Sequence, residues 1–208
     1  GTYRTMGVSE LGYDDFTVIS PLVGDPKIIV VGRNSPYNTL EELLAAIKEK
    51  PGKLTMSHSG PGGSGHNQGL VLGEFGYDVA MISFNSGNEA LLGVIGNQVD
   101  FTNPNISTLS SYIASGEVKP LAVFSNTRLE AYPDIPAFTE FVPETEKYLN
   151  IPYTVLTFCV NNDTPADVVA KLKEATAKVT AGAEWQEFVT RNAADKIFDM
   201  YKTDEEIK

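Results

Sequence analysis

The sequence predicts an α/β fold built on a mostly parallel, helix-covered sheet. Three observations carry that expectation. Strand-like and helix-like runs alternate along most of the chain, as they must when helices connect parallel strands. A glycine-rich stretch at residues 57–66 (SHSGPGGSGH) joins one strand-like run to one helix-like run. At 208 residues and 42% apolar content, the chain can bury one large core or two small ones.

The elements follow in order. Residues 27–31 read as a strand. Residues 39–50 read as a helix, with Thr39 and Glu42 spaced as a capping box and Pro51-Gly52 as its stop. A short strand at 53–56 leads into the glycine stretch, and a helix runs from His66 to about Phe75. Then come a strand at 79–84, a helix at 88–95, a strand at 99–102, a helix at 106–114 ended by Gly116, and a strand at 120–124. Prolines 133, 136 and 143 break the rhythm between 128 and 143. An apolar run at 153–160 precedes a long helix. Thr164 fits its N-cap, Pro165 its first position, and Asp167 complements its dipole. Val168, Val169, Leu172, Ala175 and Val179 form its expected buried stripe. A helix around Trp185, Phe188 and Val189 and a strand at 196–200 close the chain, with Trp185 expected in the core. No internal repeat or low-complexity tract interrupts the sequence.

Charge narrows the function classes. Acidic residues outnumber basic ones 27 to 16, a net charge of −11. No basic stripe offsets this, so nucleic acid and anionic membrane surfaces are poor partners. No apolar run approaches the roughly 18 residues of a membrane span, and Gly1-Thr2-Tyr3-Arg4 does not open a signal peptide. The single cysteine, Cys159, excludes an internal disulfide framework and reads as a buried packing residue.

The glycine stretch holds the most chemistry. Its glycines allow positive φ and close approach of a ligand to the main chain. A helix starting there presents unpaired N–H groups and a positive dipole end, which suits a phosphate or a carboxylate. The plainer reading is a tight, capped turn. Gly60-x-Gly62-x-x-Gly65 formally matches the dinucleotide fingerprint, but the next strand ends Ser83-Phe84-Asn85, without the carboxylate that would hold a ribose. A phosphate-binding P-loop fails because His66-Asn67 stand where Lys and Ser or Thr are needed. A Gly-x-Ser-x-Gly elbow fails around both Ser59 and Ser64. The two histidines, His58 and His66, have no ligand spacing for a metal. Neither a cofactor nor a metal is expected.

Several segments together resemble the tripartite tricarboxylate transporter receptors, the Bug family. Lys53-Leu54-Thr55-Met56 followed by Gly60-Pro61-Gly62-Gly63-Ser64-Gly65-His66 is similar to that family's strand, glycine- and serine-rich loop, and helix opening on His. Ser83-Phe84-Asn85-Ser86-Gly87 keeps only the aromatic and the last glycine of its Pro-Tyr-Lys-Gly-Gly turn. Gly96-Asn97-Gln98-Val99-Asp100 resembles its Gly-Gln-Val-Asp strand. Leu121-Ala122-Val123, Arg128, Pro133-Asp134-Ile135-Pro136 and Glu140 form the most specific match, and Asn162-Asp163-Thr164-Pro165-Ala166 resembles the loop before its long helix.

The resemblance implies a type II periplasmic-binding-protein-like fold of two lobes. Each lobe would be a mostly parallel, helix-covered sheet. Residues 25–152 would form the second lobe, and 1–24 with 153–208 parts of the first. It also implies an incomplete first lobe, short by a segment of order 80 residues, and a C-terminus cut inside a helix. The implied function is capture of a small carboxylate (a di- or tricarboxylate or an amino-acid-like one) by a periplasmic monomer that delivers it to membrane permease subunits, without catalysis. Expected ligand-binding residues are Ser59, Gly60, Gly62, Gly63 and Ser64 of the glycine loop, Ser86 and Gly87, and Asn103 and Asn105. Plain helix caps are the other reading for Ser86-Gly87 and Asn103-Asn105. Arg128 is expected to be architectural, paired with Glu130, Asp134 or Glu140. The alternative function is a Rossmann-type nucleotide-binding enzyme using the glycine loop.

Overall fold

The computed structural model describes residues 4, 6–149 and 154–191. The chain divides into two compact units, Pro26–Thr154 and Gly1–Asp25 with Val155–Lys208.

The Pro26–Thr154 unit is built on a five-stranded sheet. Its strands are β2 (Ile28–Gly32), β3 (Thr55–His58), β4 (Ala80–Ser83), β5 (Phe101–Thr102) and β6 (Val118–Val123), in the order β4-β3-β5-β2-β6. β3 runs parallel to β4 and β5, while β2 opposes both β5 and β6. Four strands therefore share one direction and β2 alone is reversed. Ile28, Ile29, Val30 and Val31 are at most 1% exposed, because a central strand covered on both faces is apolar throughout rather than alternating. Pro120 is tolerated because β6 is an edge strand and the register shifts beside it, between Ile29 and Val30.

The helices of this unit are α1 (Leu40–Glu49), α2 (Ser64–Glu74), α3 (Gly87–Ile95) and α4 (Ile106–Ala114). Thr39 Oγ1 accepts the Glu42 N–H at 3.3 Å. The Glu42 carboxylate reaches past the cap and accepts the Asn38 N–H at 2.6 Å, so the reciprocal half of the expected box lies one residue earlier. Gly52, at φ +69°, turns the chain after α1 and donates its N–H to Asp78 O at 2.9 Å. The expected boundaries around the glycine stretch shift. β3 extends to His58, because His58 pairs with Ser83 and its carbonyl accepts the Phe84 N–H at 2.9 Å. α2 begins at Ser64, two residues before the expected start, which shortens the connection to residues 59–63.

In the other unit, β1 (Phe16–Asp25) pairs with β7 (Thr154–Asn161), which belongs to it from Val155 on, and α5 (Ala166–Thr180) and α6 (Ala183–Arg191) follow. β1 has no counterpart among the expected elements; Pro21 and Gly24 mask it as a strand. Pro165, not Thr164, is the N-cap of α5. Its ψ of 141° holds it in extended backbone, and no side chain caps the helix. The expected stripe is only partly covered. Val169 and Leu172 are half-buried and Thr180 is buried, but Ala175, Val168 and Val179 are exposed, the last two by 40% and 60%. Trp185 is half-buried and Phe188 exposed, their rings 5.6 Å apart, while Val189 is the buried member of α6. Cys159 is half-buried rather than buried, and desolvation pushes its thiol pKa up, away from the reactive thiolate. The expected strand at 196–200 lies outside the described residues.

Candidate functional site

Three connections leave one edge of the five-stranded sheet. β4, β3 and β5 lie side by side and parallel, so the turns after them, at residues 84–86, 59–63 and 103–105, emerge at the same carboxyl end. Each leads into a helix: α3, α2 and α4. Ligands of open α/β sheets sit beyond this edge, and each helix start presents N–H groups that its own turns cannot satisfy.

The glycine loop occupies the middle of the three. Gly60 at φ +108° and Gly62 at φ +74° take backbone that side-chain-bearing residues rarely adopt. Gly63 is the N-cap of α2, and its carbonyl accepts the Asn67 N–H at 3.0 Å. Gly65 serves a different purpose. A Cβ there would lie 3.0 Å from Asn103 Oδ1 and 3.5 Å from His58 Cβ. The first two glycines of the Gly60-x-Gly62-x-x-Gly65 pattern thus make the turn, and the third allows the helix to approach β3 and the β5 turn. Ser59 is exposed, and Ser64 Oγ lies 3.1 Å from Thr154 Oγ1.

Asn103 is 2% exposed, and its carboxamide works internally. Nδ2 donates to Gln68 Oε1 and, at 3.5 Å, to Gly65 O, tying the β5 turn to α2. Its carbonyl accepts the Lys27 ammonium at 3.1 Å. Asn105 occupies the N-cap of α4 without a side-chain cap bond, and its Oδ1 accepts from Thr154 Oγ1 at 3.5 Å. Thr154 therefore bridges Ser64 and Asn105, two of the expected site residues. Ser86 caps α3, accepting the Glu89 N–H at 3.1 Å, and Gly87 is exposed with open space where a Cβ would go. Among the described residues no hydrogen bond joins Ser86 or Gly87 to the glycine loop.

Lys27, Gln68 and Thr154 belong to this edge and are not among the expected ligand-binding residues. Lys27 is 7% exposed, and a buried ammonium requires acceptors. The available signal was a lysine heading an otherwise apolar strand. Nothing local marked Gln68 or Thr154, whose roles depend on segments distant in sequence.

His58, 5% exposed, accepts the Gly60 N–H at its Nδ1, 3.2 Å away. Its ring meets that of His66 edge-on, with centroids 5.0 Å apart. Burial pushes the His58 pKa below the ordinary histidine value; the Gly60 backbone pulls the other way, and the neighbouring His66 acts with burial. Arg128 grips Glu140 with two bonds, Nε to Oε1 at 2.7 Å and the terminal amino nitrogen to Oε2 at 2.6 Å, and also donates to Pro133 O at 3.0 Å. It is committed to holding the irregular 128–140 segment. Among the described residues no cluster of three His, Cys, Asp or Glu side chains could hold a metal, and no helix is long and apolar enough to cross a membrane.

Residues 4–205 match the family described as the tripartite tricarboxylate transporter family receptor. A UPF0065 protein of Bordetella pertussis is 28% identical over 183 residues, covering 88% of this chain and 55% of that one. A TctC solute-binding protein from Polaromonas superposes with a TM-score of 0.71 at 26% identity, over 93% of this chain and 65% of that one. The periplasmic binding protein BugD gives 0.73 at 24%, over 86% and 59%. An R. palustris protein solved with adipate gives 0.74 at 20%, over 87% and 60%. The fold is that of the periplasmic binding proteins, and the chain spans a little over half the length of the curated relative. The Rossmann-type alternative is not supported. The neighbour of β3 ends at Ser83 without a ribose-binding carboxylate, and the matching proteins are solute-binding receptors.

Proposed function

We propose, for a chain that belongs to the tripartite tricarboxylate transporter receptor family, that it captures a small organic carboxylate outside the cytoplasmic membrane and hands it to membrane permease subunits. The observation that carries this reading is the convergence of three helix starts on one sheet edge around a glycine loop. Main-chain N–H groups at such starts favour a carboxylate locally, and surface carboxylates beyond a Debye length are screened, so a net charge of −11 does not oppose it. The solved relative with adipate indicates the ligand class. Ser59, Gly60, Gly62, Gly63 and Ser64 supply the central contacts. Asn105, Ser86 and Gly87 flank them, and Asn103 holds α2 in place. The unit Pro26–Thr154 acts as one lobe, and Gly1–Asp25 with Val155–Lys208 contributes to the other. The receptor works as a monomer. It makes and breaks no bond, and uses the higher affinity of ligand for the closed state.

A thermal-shift and calorimetry screen on the full-length protein tests this, with adipate, citrate, succinate, glutamate and aspartate beside nicotinamide nucleotides. The expected result is a shift with at least one carboxylate and none with the nucleotides. A shift with nucleotides alone would overturn the reading.

A further inference from the structure

The Gly60 N–H bond to His58 Nδ1 has a property the other loop contacts lack: it exists in one protonation state of its acceptor only. We propose that neutral His58 is a positioning residue that latches the glycine loop through Gly60, and that a proton on Nδ1 releases it. The inference rests on the reading of this loop as the carboxylate site.

The two ends of the latch differ in freedom. His58 is the last residue of β3, 5% exposed, with its backbone paired to Ser83 and its carbonyl bonded to the Phe84 N–H. Its ring is buried and meets that of His66 edge-on, centroids 5.0 Å apart. The loop end is soft. Gly60 and Gly62 both sit at positive φ, and nothing lies within 4 Å of a Cβ at Gly60. With Nδ1 accepting, the proton of the neutral imidazole belongs on Nε2. A second proton would set two donors, Nδ1–H and Gly60 N–H, against each other at 3.2 Å. His58 is anchored by the sheet, and Gly60 sits in a turn at positive φ, so the loop is the end that yields.

The surroundings keep the latch closed near neutrality. Of the elements packed against β3, α2 carries His66 and Glu74, α3 carries Glu89, and β4 and β5 carry no titratable group. Asp100, just before β5, is bonded to Thr55, and Glu89 to Asn85. The Lys27 ammonium caps Asn103 O just beyond β5. Among the described residues no carboxylate bonds either histidine, whereas His66 lies 5.0 Å from His58. Burial, with His66, outweighs the opposite pull of the Gly60 backbone and lowers the His58 pKa, so release falls on the acid side of the usual histidine range.

Asparagine offers the discriminating variant. Its Oδ1 stands where His Nδ1 stands and accepts the N–H two residues on, as in an Asx-turn, but does not titrate. Amide NMR between pH 8 and 5 should show the Gly60 resonance following the His58 ring in the wild type. It should stay still in His58→Asn, and lie at the acid-limit position at every pH in His58→Phe. Adipate affinity in the wild type, divided by that of His58→Asn to cancel the ligand's own titration, should fall roughly 3- to 10-fold from pH 7.5 to 5.5, the worth of one net hydrogen bond. A Gly60 resonance that ignores the ring titration, or the same pH dependence in His58→Asn, would overturn the latch. If Gly60 titrates but no carboxylate binds at any pH, the latch stands and the receptor reading falls.

Discussion

Helices α1 and α5 carry the same kind of apolar stripe and meet different surroundings. α1 buries Leu40, Leu43, Leu44 and Ile47 against a five-stranded sheet whose central strand is closed on both faces. α5, one and a half times as long, buries Thr180 alone, and leaves Val168 and Val179 in solvent. Period 3.6 in the sequence says which face of a helix is apolar. Whether that face is buried depends on what packs over it, and the two units of this chain differ there. The hydrophobic contribution follows the area removed from water, so α1 stabilises its unit far more per residue than α5 does.

The largest expected effect is at the α1 face. Leu43→Ala should cost about 2–5 kcal/mol, the range for truncating a buried leucine. Thermal unfolding followed by circular dichroism measures it, and a cost below about 1 kcal/mol would mean this core is looser than its burial indicates. Next comes Gly32→Ala. The new Cβ would lie 2.8 Å from Val94 O, a main-chain atom of α3 that has no rotamer to yield. Overpacking of this kind costs about 1–3 kcal/mol. Gly69→Ala is the control, because its 2.5 Å neighbour is the flexible Met81 Sδ, and the loss should be smaller or reversed.

A smaller effect concerns pH. The Arg128 guanidinium and the Ala137 N–H hold the Glu140 carboxyl down at about 2, against an ordinary value of 4.5. A depressed acid stabilises the fold above its unfolded pKa, and that stability is lost as pH falls from 4.5 toward 2. Glu140→Gln should therefore remove a slope from the acid limb of a stability-against-pH curve while leaving its shape above pH 5. The pair is exposed, so salt should reduce the difference. The smallest effect is on the open face of α5. Val179→Lys should change stability by less than about 0.5 kcal/mol, since the side chain is 60% exposed. A loss near that of Leu43→Ala would show that this face is covered in solution.

Most of the Pro26–Thr154 unit was legible in the sequence. Two of its helices are followed by glycines at positive φ, Gly52 and Gly116, and Thr39 and Ser86 cap by bonds spanning three residues. The boundaries at 57–66 were less legible. Glycines permit a loop but do not require one, and pairing with β4 carried His58 into the sheet and left only 59–63 as the turn. Arg128 could be placed as architectural from its acidic neighbours, but the choice of Glu140 over Glu130 or Asp134 needed three-dimensional geometry. β1 was illegible because its proline and glycine argue locally against the strand that pairing with β7 imposes.

By itself the sequence determined the alternation of elements in the Pro26–Thr154 unit, the Thr39 and Ser86 caps, and a glycine-rich turn between a strand and a helix. These depend on backbone preferences and contacts within a few residues. Only the tertiary structure decided that Thr154 stands between Ser64 and Asn105, that Asn103 turns inward to Gln68, and that His58 closes on Gly60 beside His66. It decided too that Lys27 is buried and that three of the five stripe residues of α5 are exposed. The Thr154 and Asn103 contacts join positions tens of residues apart, and burial is a property of the partner as much as of the residue, so no local pattern can encode either.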